Sequence, residues 1–375
     1  MNILFLTLLI IFTCYFFYRT IKRHECCYKR IIILLLYIIH IVSLFLFYNF
    51  NNGQQFDSYI FYERALNSNN ISDFTQPGSK FMSLLIYPLV KLNISYFNLS
   101  LFFSTFSLVG FTFYLNFIFS KIKKLDSNIL MLLSLLLILT PSLHFWTAGL
   151  TKEALVFYFM SIVFFQTVKK GLISFPLIIS LVFILLIRPY LFGIILVSYF
   201  VFILCNIKMN KIMLVLLALL GTIISLPILK GFLRVDNLNF EEIQQSFQRI
   251  VVYSQNNGTS SIDLENSTYF YRMFLVLFKP IFYDSKTFFQ YLISIENLIT
   301  AIILFKFIFE VIKNKAYKFI FKQQVFLSLT VILLILFFSS YLYNLGLASR
   351  MRVMFMPYLY LLMFTFYAKI KNNRI

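Results

Sequence analysis

Hydrophobic residues in this chain do not alternate with a period of two. They run unbroken for long stretches, each closed by a short cluster of charge. The stretches fall near residues 3–18, 31–49, 97–120, 127–143, 153–168, 172–187, 190–206, 212–229, 287–312, 323–343 and 351–368. Such runs predict helices, because roughly 20 helical residues cross the ~30 Å hydrocarbon core while pairing every backbone group internally. The expected architecture is all-α, a single transmembrane helical domain over residues 1–375 with about eleven spans. The first run, Asn2 to Tyr18, has no basic region before it and no small-residue cleavage site after it, and is expected to be a retained helix.

Two long breaks, 50–96 and 230–286, interrupt the pattern. In the first, Phe81, Leu84, Leu85, Tyr87 and Leu89 make an apolar stretch too short to span and broken by Pro88, which predicts a re-entrant or interfacial helix. In the second, Phe240, Ile243, Phe247, Ile250 and Val251 follow the 3.6-residue period, with Glu241, Glu242, Gln245 and Gln248 opposite. That segment predicts an amphipathic helix on the membrane surface. The polar stretch Ser254 to Ser267 is expected to be mobile.

Composition removes the soluble alternative. With 60% hydrophobic and 13% charged residues, there is far more apolar surface than a soluble domain can hide. Cys14 and Cys205 fall in expected helices and Cys26 and Cys27 are adjacent in a basic loop, so neither a disulfide framework nor a zinc spacing follows.

The net charge of +19 would suggest nucleic acid in a soluble protein, but its distribution gives another reason. Twenty of the 33 Lys and Arg lie in short breaks, among them Arg19–Arg30, Lys121–Lys124, Lys169–Lys170, Lys208–Lys211, Lys306–Lys322 and Lys369–Arg374. Only Glu25, Asp126 and Glu310 accompany them. The positive-inside rule makes this the cytoplasmic side, with the N-terminus outside and the C-terminus inside. The remaining acids face outward, and much of the charge becomes orientation and contact with anionic lipid. No nucleic-acid partner is expected.

The candidate chemistry lies at the outer helix ends. Asp57 follows the second run, where a carboxylate can serve as a general base or bind a divalent cation. The segment Pro141-Ser-Leu-His-Phe-Trp-Thr-Ala-Gly-Leu-Thr-Lys-Glu153 holds His144, the only Trp, and the Lys152–Glu153 pair. Lys152 opens a helix against its dipole, a placement that makes sense over a bound anion. Arg188 stands before Pro189 amid apolar residues, and its guanidinium suits phosphate. Arg272, Lys279, Arg350 and Arg352 recur at later outer ends. With Lys80 they form an expected ring of cations at one depth, fit for a lipid phosphate or diphosphate, while Asp57, His144 and Glu153 supply acid–base groups.

These features together resemble the polytopic proteins of bacterial surface-polysaccharide loci. The outward Asp57, "PSLHFWTAGLTKEAL", Arg188-Pro189, "KPIFYDSKTFFQYLISIEN" and "SRMRVMFMPYLYLL" are similar to features of O-antigen and capsule repeat-unit polymerases and, more distantly, of C-type glycosyltransferases. The resemblance implies an inner-membrane enzyme that joins undecaprenyl-(di)phosphate-linked saccharides on the periplasmic face. It implies Asp57 as base and Lys152, Arg188, Arg350 and Arg352 as phosphate-side cations. C-type enzymes place their Asp after the first span, often with a second acid following; here it follows the second and the next acid is Glu63, which puts polymerase ahead. The partners so implied are the lipid-linked saccharide, membrane lipids and other polysaccharide-assembly proteins. The rivals are a C-type transferase with a polyprenyl-phosphate monosaccharide donor, a lipid-oligosaccharide flippase, and a structural assembly subunit. A flippase would carry ionisable residues at mid-depth, and the runs were expected to hold almost none.

Overall fold

The structure, a computed structural model, describes residues 1–51, 56–121, 128–168, 174–206, 239–255, 266–342 and 344–371, with single positions at 216, 219 and 230. Every element among the described residues is helical. The expected run at 212–229, most of Ser254–Ser267, and Lys123, Lys124, Asp126, Lys169, Lys170, Lys208, Lys211 and Arg374 lie outside them. The chain forms two compact units, one of residues 1–126 and 134–188, the other of 127–133 and 189–375.

The first unit contains α1 (Asn2–Lys22), α2 (Cys27–Asn51), α3 (Asp57–Asn67), α4 (Ser79–Lys91), α5 (Tyr96–Lys121), the second half of α6 (Asn128–Leu139), α7 (Pro141–Thr147), α8 (Lys152–Val168) and α9 (Phe175–Ile187). α5 is its centre, packed against α1, α2 and α8, and α8 in turn packs on α9. Phe111 meets Phe157 with ring centroids 4.3 Å apart, and Phe117 meets Phe164 at 5.0 Å. Burial separates helices of similar composition. The most apolar stretch of α5 is 67% buried and that of α1 only 11%. An apolar helix left so exposed is suited to face lipid, which is as apolar as a protein core.

The second unit contains α10 (Pro189–Asn206), α11 (Phe240–Gln255), α12 (Tyr269–Phe278), α13 (Phe288–Lys313), α14 (Val325–Tyr341), α15 (Leu345–Met351) and α16 (Met356–Lys371). α14 packs against α10, α12 and α16. Tyr190 stacks on Phe337 at 5.0 Å, and Phe326 tilts against Tyr358 at 5.7 Å. Thr287 and Gln290 close a capping box at the start of α13, the Thr-x-x-Gln spacing that satisfies two otherwise orphan N–H groups. The amphipathic segment expected near residue 240 is α11, with Phe240 and Val252 exposed.

Among the described residues five helices, α1, α2, α5, α10 and α13, are long and apolar enough to cross a membrane, or six if the bent pair Leu345–Met354 and Met356–Ile370 is one span. The runs expected at 127–143, 153–168, 172–187 and 323–343 form shorter helices. Two local expectations differ from the structure. Pro88 does not break its segment: α4 continues through it to Lys91. A proline removes one backbone donor, and here the helix ends within a turn of it in any case. The last run, 351–368, does not form one helix. Arg352–Met354 form a 3-10 turn, and the axis bends by 50° there. Pro357 then lies in the first turn of α16, where its missing N–H costs nothing.

Candidate functional site

Three helix ends meet in the first unit, each set by local sequence. At the start of α4, Gly78 has φ of +87°, a backbone conformation that favours glycine, and its N–H donates to the Leu186 carbonyl near the end of α9 at 2.7 Å. At the start of α8, Thr151 is the cap: its hydroxyl accepts from the Ala154 N–H at 3.0 Å and donates to the Trp146 carbonyl at 3.0 Å. Gly149, just before it, lies against Phe47, and a Cβ there would stand 2.3 Å from the ring. At the end of α9, Arg188 adopts φ −142° and ψ 80°, as expected for a residue that precedes proline.

Together these ends join Lys152, Glu153 and Arg188. The Arg188 guanidinium pairs with the Glu153 carboxylate, which is fully buried. Lys152 donates to the Ser79 hydroxyl at 2.8 Å and lies over the Phe61 ring at 5.5 Å. Lys80 is the next residue of α4, half-buried. Asp57 is the exposed first residue of α3, one turn before Phe61 and therefore on the same helix face. On another face of α3 lies a cluster of tyrosines: Tyr59, Tyr62 and Tyr48 each have their ring centroid within 6 Å of that of Tyr96. Burial pushes the Tyr62 phenol above its ordinary range, reinforced by Tyr59.

Several expected roles change with this geometry. Glu153 is not an open base, because burial and Arg188 hold it as one half of an ion pair. A bound anion is not needed to explain Lys152 at a helix N-terminus, since Ser79 and Phe61 receive its ammonium. His144 is fully buried on α7 and does not join Asp57 in an exposed acid–base pair. Its Nδ1 lies 2.9 Å from Nδ1 of His40, and its Nε2 lies 2.7 Å from the Ile138 carbonyl. His40, midway along α2, went unremarked as a site residue, although an ionisable side chain inside an apolar run is a signal in its own right.

The remaining expected cations belong to the second unit and have protein partners there. Lys279 pairs with Asp284 at 3.0 Å, and Arg272 lies over the Tyr269 ring at 5.5 Å. Arg350 is half-buried on α15. Arg352 is only 2% exposed. Its Nε donates to the Val276 carbonyl at 2.7 Å and its Nη1 to Asn297 Oδ1 at 2.8 Å. Its Nη2 donates to the Leu275 carbonyl at 3.3 Å and also to the Lys279 carbonyl. Leu275, Val276 and Lys279 lie at the end of α12; the Leu275 carbonyl also accepts from the Lys279 N–H at 3.1 Å, while the last carbonyls of a helix lack partners of that kind. Arg352 is therefore a buried clasp on that helix end and not a phosphate ligand. Among the described residues no three His, Cys, Asp or Glu side chains are grouped so as to hold a metal ion.

The fold and this cluster define an all-helical protein with several helices built to cross a membrane. Compared with protein families, curated proteins and solved structures, the chain matches none.

Proposed function

We propose that this chain is a membrane-embedded glycosyltransferase of the polymerase type. It crosses the bacterial inner membrane about eleven times, with the N-terminus periplasmic and the C-terminus cytoplasmic, as the basic breaks suggest. Its substrates are saccharides carried on undecaprenyl diphosphate, joined on the periplasmic face to build a surface polysaccharide. The observation that carries this reading is the meeting of Lys152 and Glu153 at the start of α8 with Arg188 at the end of α9 and Ser79 on α4, beside the face of α3 that bears Asp57. Asp57 removes the proton from an acceptor hydroxyl, whose oxygen attacks the anomeric carbon as the bond to the lipid diphosphate breaks. Lys152 and Lys80 stabilise the charge on the departing diphosphate, and the Glu153–Arg188 pair holds the start of α8 in place. A variant of the same site would take a single sugar from polyprenyl phosphate.

A second reading has one observation in its favour. The buried His40–His144 pair is the kind of ionisable group within a helix bundle that transporters use, and it suits a flippase for the same lipid-linked saccharide. Purified protein in nanodiscs, given undecaprenyl-diphosphate repeat units, separates the two. A transferase yields a ladder of longer glycans. In Asp57→Asn that ladder falls by roughly 100-fold or more, while folding is unchanged because Asp57 is exposed. Equal ladders from both proteins remove Asp57 as the base, and lipid-linked saccharide that crosses vesicle membranes without elongation supports the flippase.

A further inference from the structure

We infer that His40 and His144 form a binding site for a single proton, shared between the two imidazoles inside the first unit. The argument is one of donors and acceptors and does not depend on the transferase reading. His40 Nε2 faces two oxygens, the Ser104 carbonyl at 3.1 Å and the Ser107 hydroxyl at 3.0 Å. The Ser107 hydroxyl is also 2.8 Å from the Thr147 carbonyl and 2.9 Å from that of Ser104. His144 Nε2 faces only the Ile138 carbonyl, which can accept but not donate, so His144 carries its proton on Nε2. Its Nδ1 is then a bare acceptor, and the 2.9 Å approach to His40 requires a proton on His40 Nδ1.

Two states of charge satisfy this framework without moving a heavy atom. In the neutral state the Ser107 hydroxyl donates to His40 Nε2, His40 Nδ1–H donates to His144 Nδ1, and His144 Nε2–H donates to Ile138. When a proton is added, it takes His40 Nε2 and donates to the Ser104 carbonyl, while the Ser107 hydroxyl turns to Thr147. The positive charge then lies on both rings across the Nδ1–H···Nδ1 bond.

Burying the charge has a cost, and two features other than a carboxylate offset part of it. Phe111 stacks on His144 with centroids 4.3 Å and planes 14° apart, presenting its negative ring face. Ile138 lies in the last turn of α6, the end of a helix that attracts cations. The other titratable side chains on the packed elements are Cys27, Tyr28, Lys29, Arg30, Tyr37 and Tyr48 on α2, Tyr96, Tyr114 and Lys121 on α5, and Lys152, Glu153 and Tyr158 on α8. α6 and α7 add none besides His144, and none of these groups hydrogen-bonds either ring. Both histidines are buried, so proton uptake is an internal event that redirects the bonds joining α2, α5 and α7.

The chain has three histidines, so 15N-histidine NMR of the intact protein in nanodiscs gives three ring systems, and His24→Gln identifies the third. From about pH 8 to about pH 4, the His40 and His144 signals should change together with the uptake of one proton and show coupling across an Nδ1–Nδ1 bond. In His40→Gln, that shared transition should disappear from His144. No uptake by the pair in this range, or two protons bound independently by the rings, overturns the inference.

Discussion

Arg188 and Arg352 look alike in the sequence: each stands at a helix end beside apolar neighbours. In the structure both are buried, yet their charges are met differently. Arg188 pairs with one carboxylate, Glu153, from another helix. Arg352 is received by backbone carbonyls at the end of α12 and by the Asn297 amide oxygen. The first arrangement is a neutralised pair next to the Lys152 ammonium, while the second fastens one helix end with a cation. A buried arginine is therefore not evidence for a phosphate site until its partners are known.

The largest effect should come from splitting the ion pair. Arg188→Ala or Glu153→Ala leaves one buried charge alone and should cost about 3–5 kcal/mol, read by thermal or denaturant unfolding in detergent. Replacing both with Leu should recover most of that loss, because no lone charge remains. Additive losses in the double variant would break the comparison. Arg352→Leu should cost about 3 kcal/mol, since it strands carbonyls and an amide oxygen, and a second substitution at Glu153 should give no recovery.

Gly149→Ala is expected to cost about 1–3 kcal/mol, because the new methyl group meets the Phe47 ring and pushes the Thr151–Glu153 segment from its place. Lys152→Ala should change stability by less than about 1 kcal/mol, as the ammonium is only partly buried. Under the proposed function it should nonetheless weaken use of the lipid diphosphate by about tenfold, and unchanged turnover would leave Lys152 a packing residue only.

The smallest effect belongs to His24, at the junction of α1 and α2 and away from both arginines. Burial lowers its pKa, opposed by the Asn116 hydrogen bond and reinforced by Lys29 and Arg23. The folded state thus prefers the neutral ring. Its contribution is complete above about pH 6.5, the ordinary histidine value, and fades as pH falls through the lower folded value. His24→Gln should flatten that acid-side decline in melting temperature.

Much of the first unit was legible before any fold was known. Unbroken apolar runs predicted α1, α2 and α5, the Lys152–Glu153 pair marked the start of α8, and Arg188-Pro189 the end of α9. The unusual Lys152–Glu153 pair drew notice for the right reason, a charge at an apolar helix start. What it joins was not legible, because Ser79, Phe61 and Arg188 lie far away in sequence and any outer helix end offered an equal partner. His40 was legible as an ionisable side chain in an apolar run, but its partner was not, because His144 lies 104 residues away.

The sequence by itself determined a chain of apolar helices and their approximate ends, since hydropathy, capping and proline geometry act over a few residues. Only the tertiary structure decided which of those helices are central, which cations are clasped by carbonyls and which carboxylate is neutralised. Lipid and protein interior are equally apolar, so an outward and an inward helix face read the same along the chain. Burial and partnership arise only when distant helices pack.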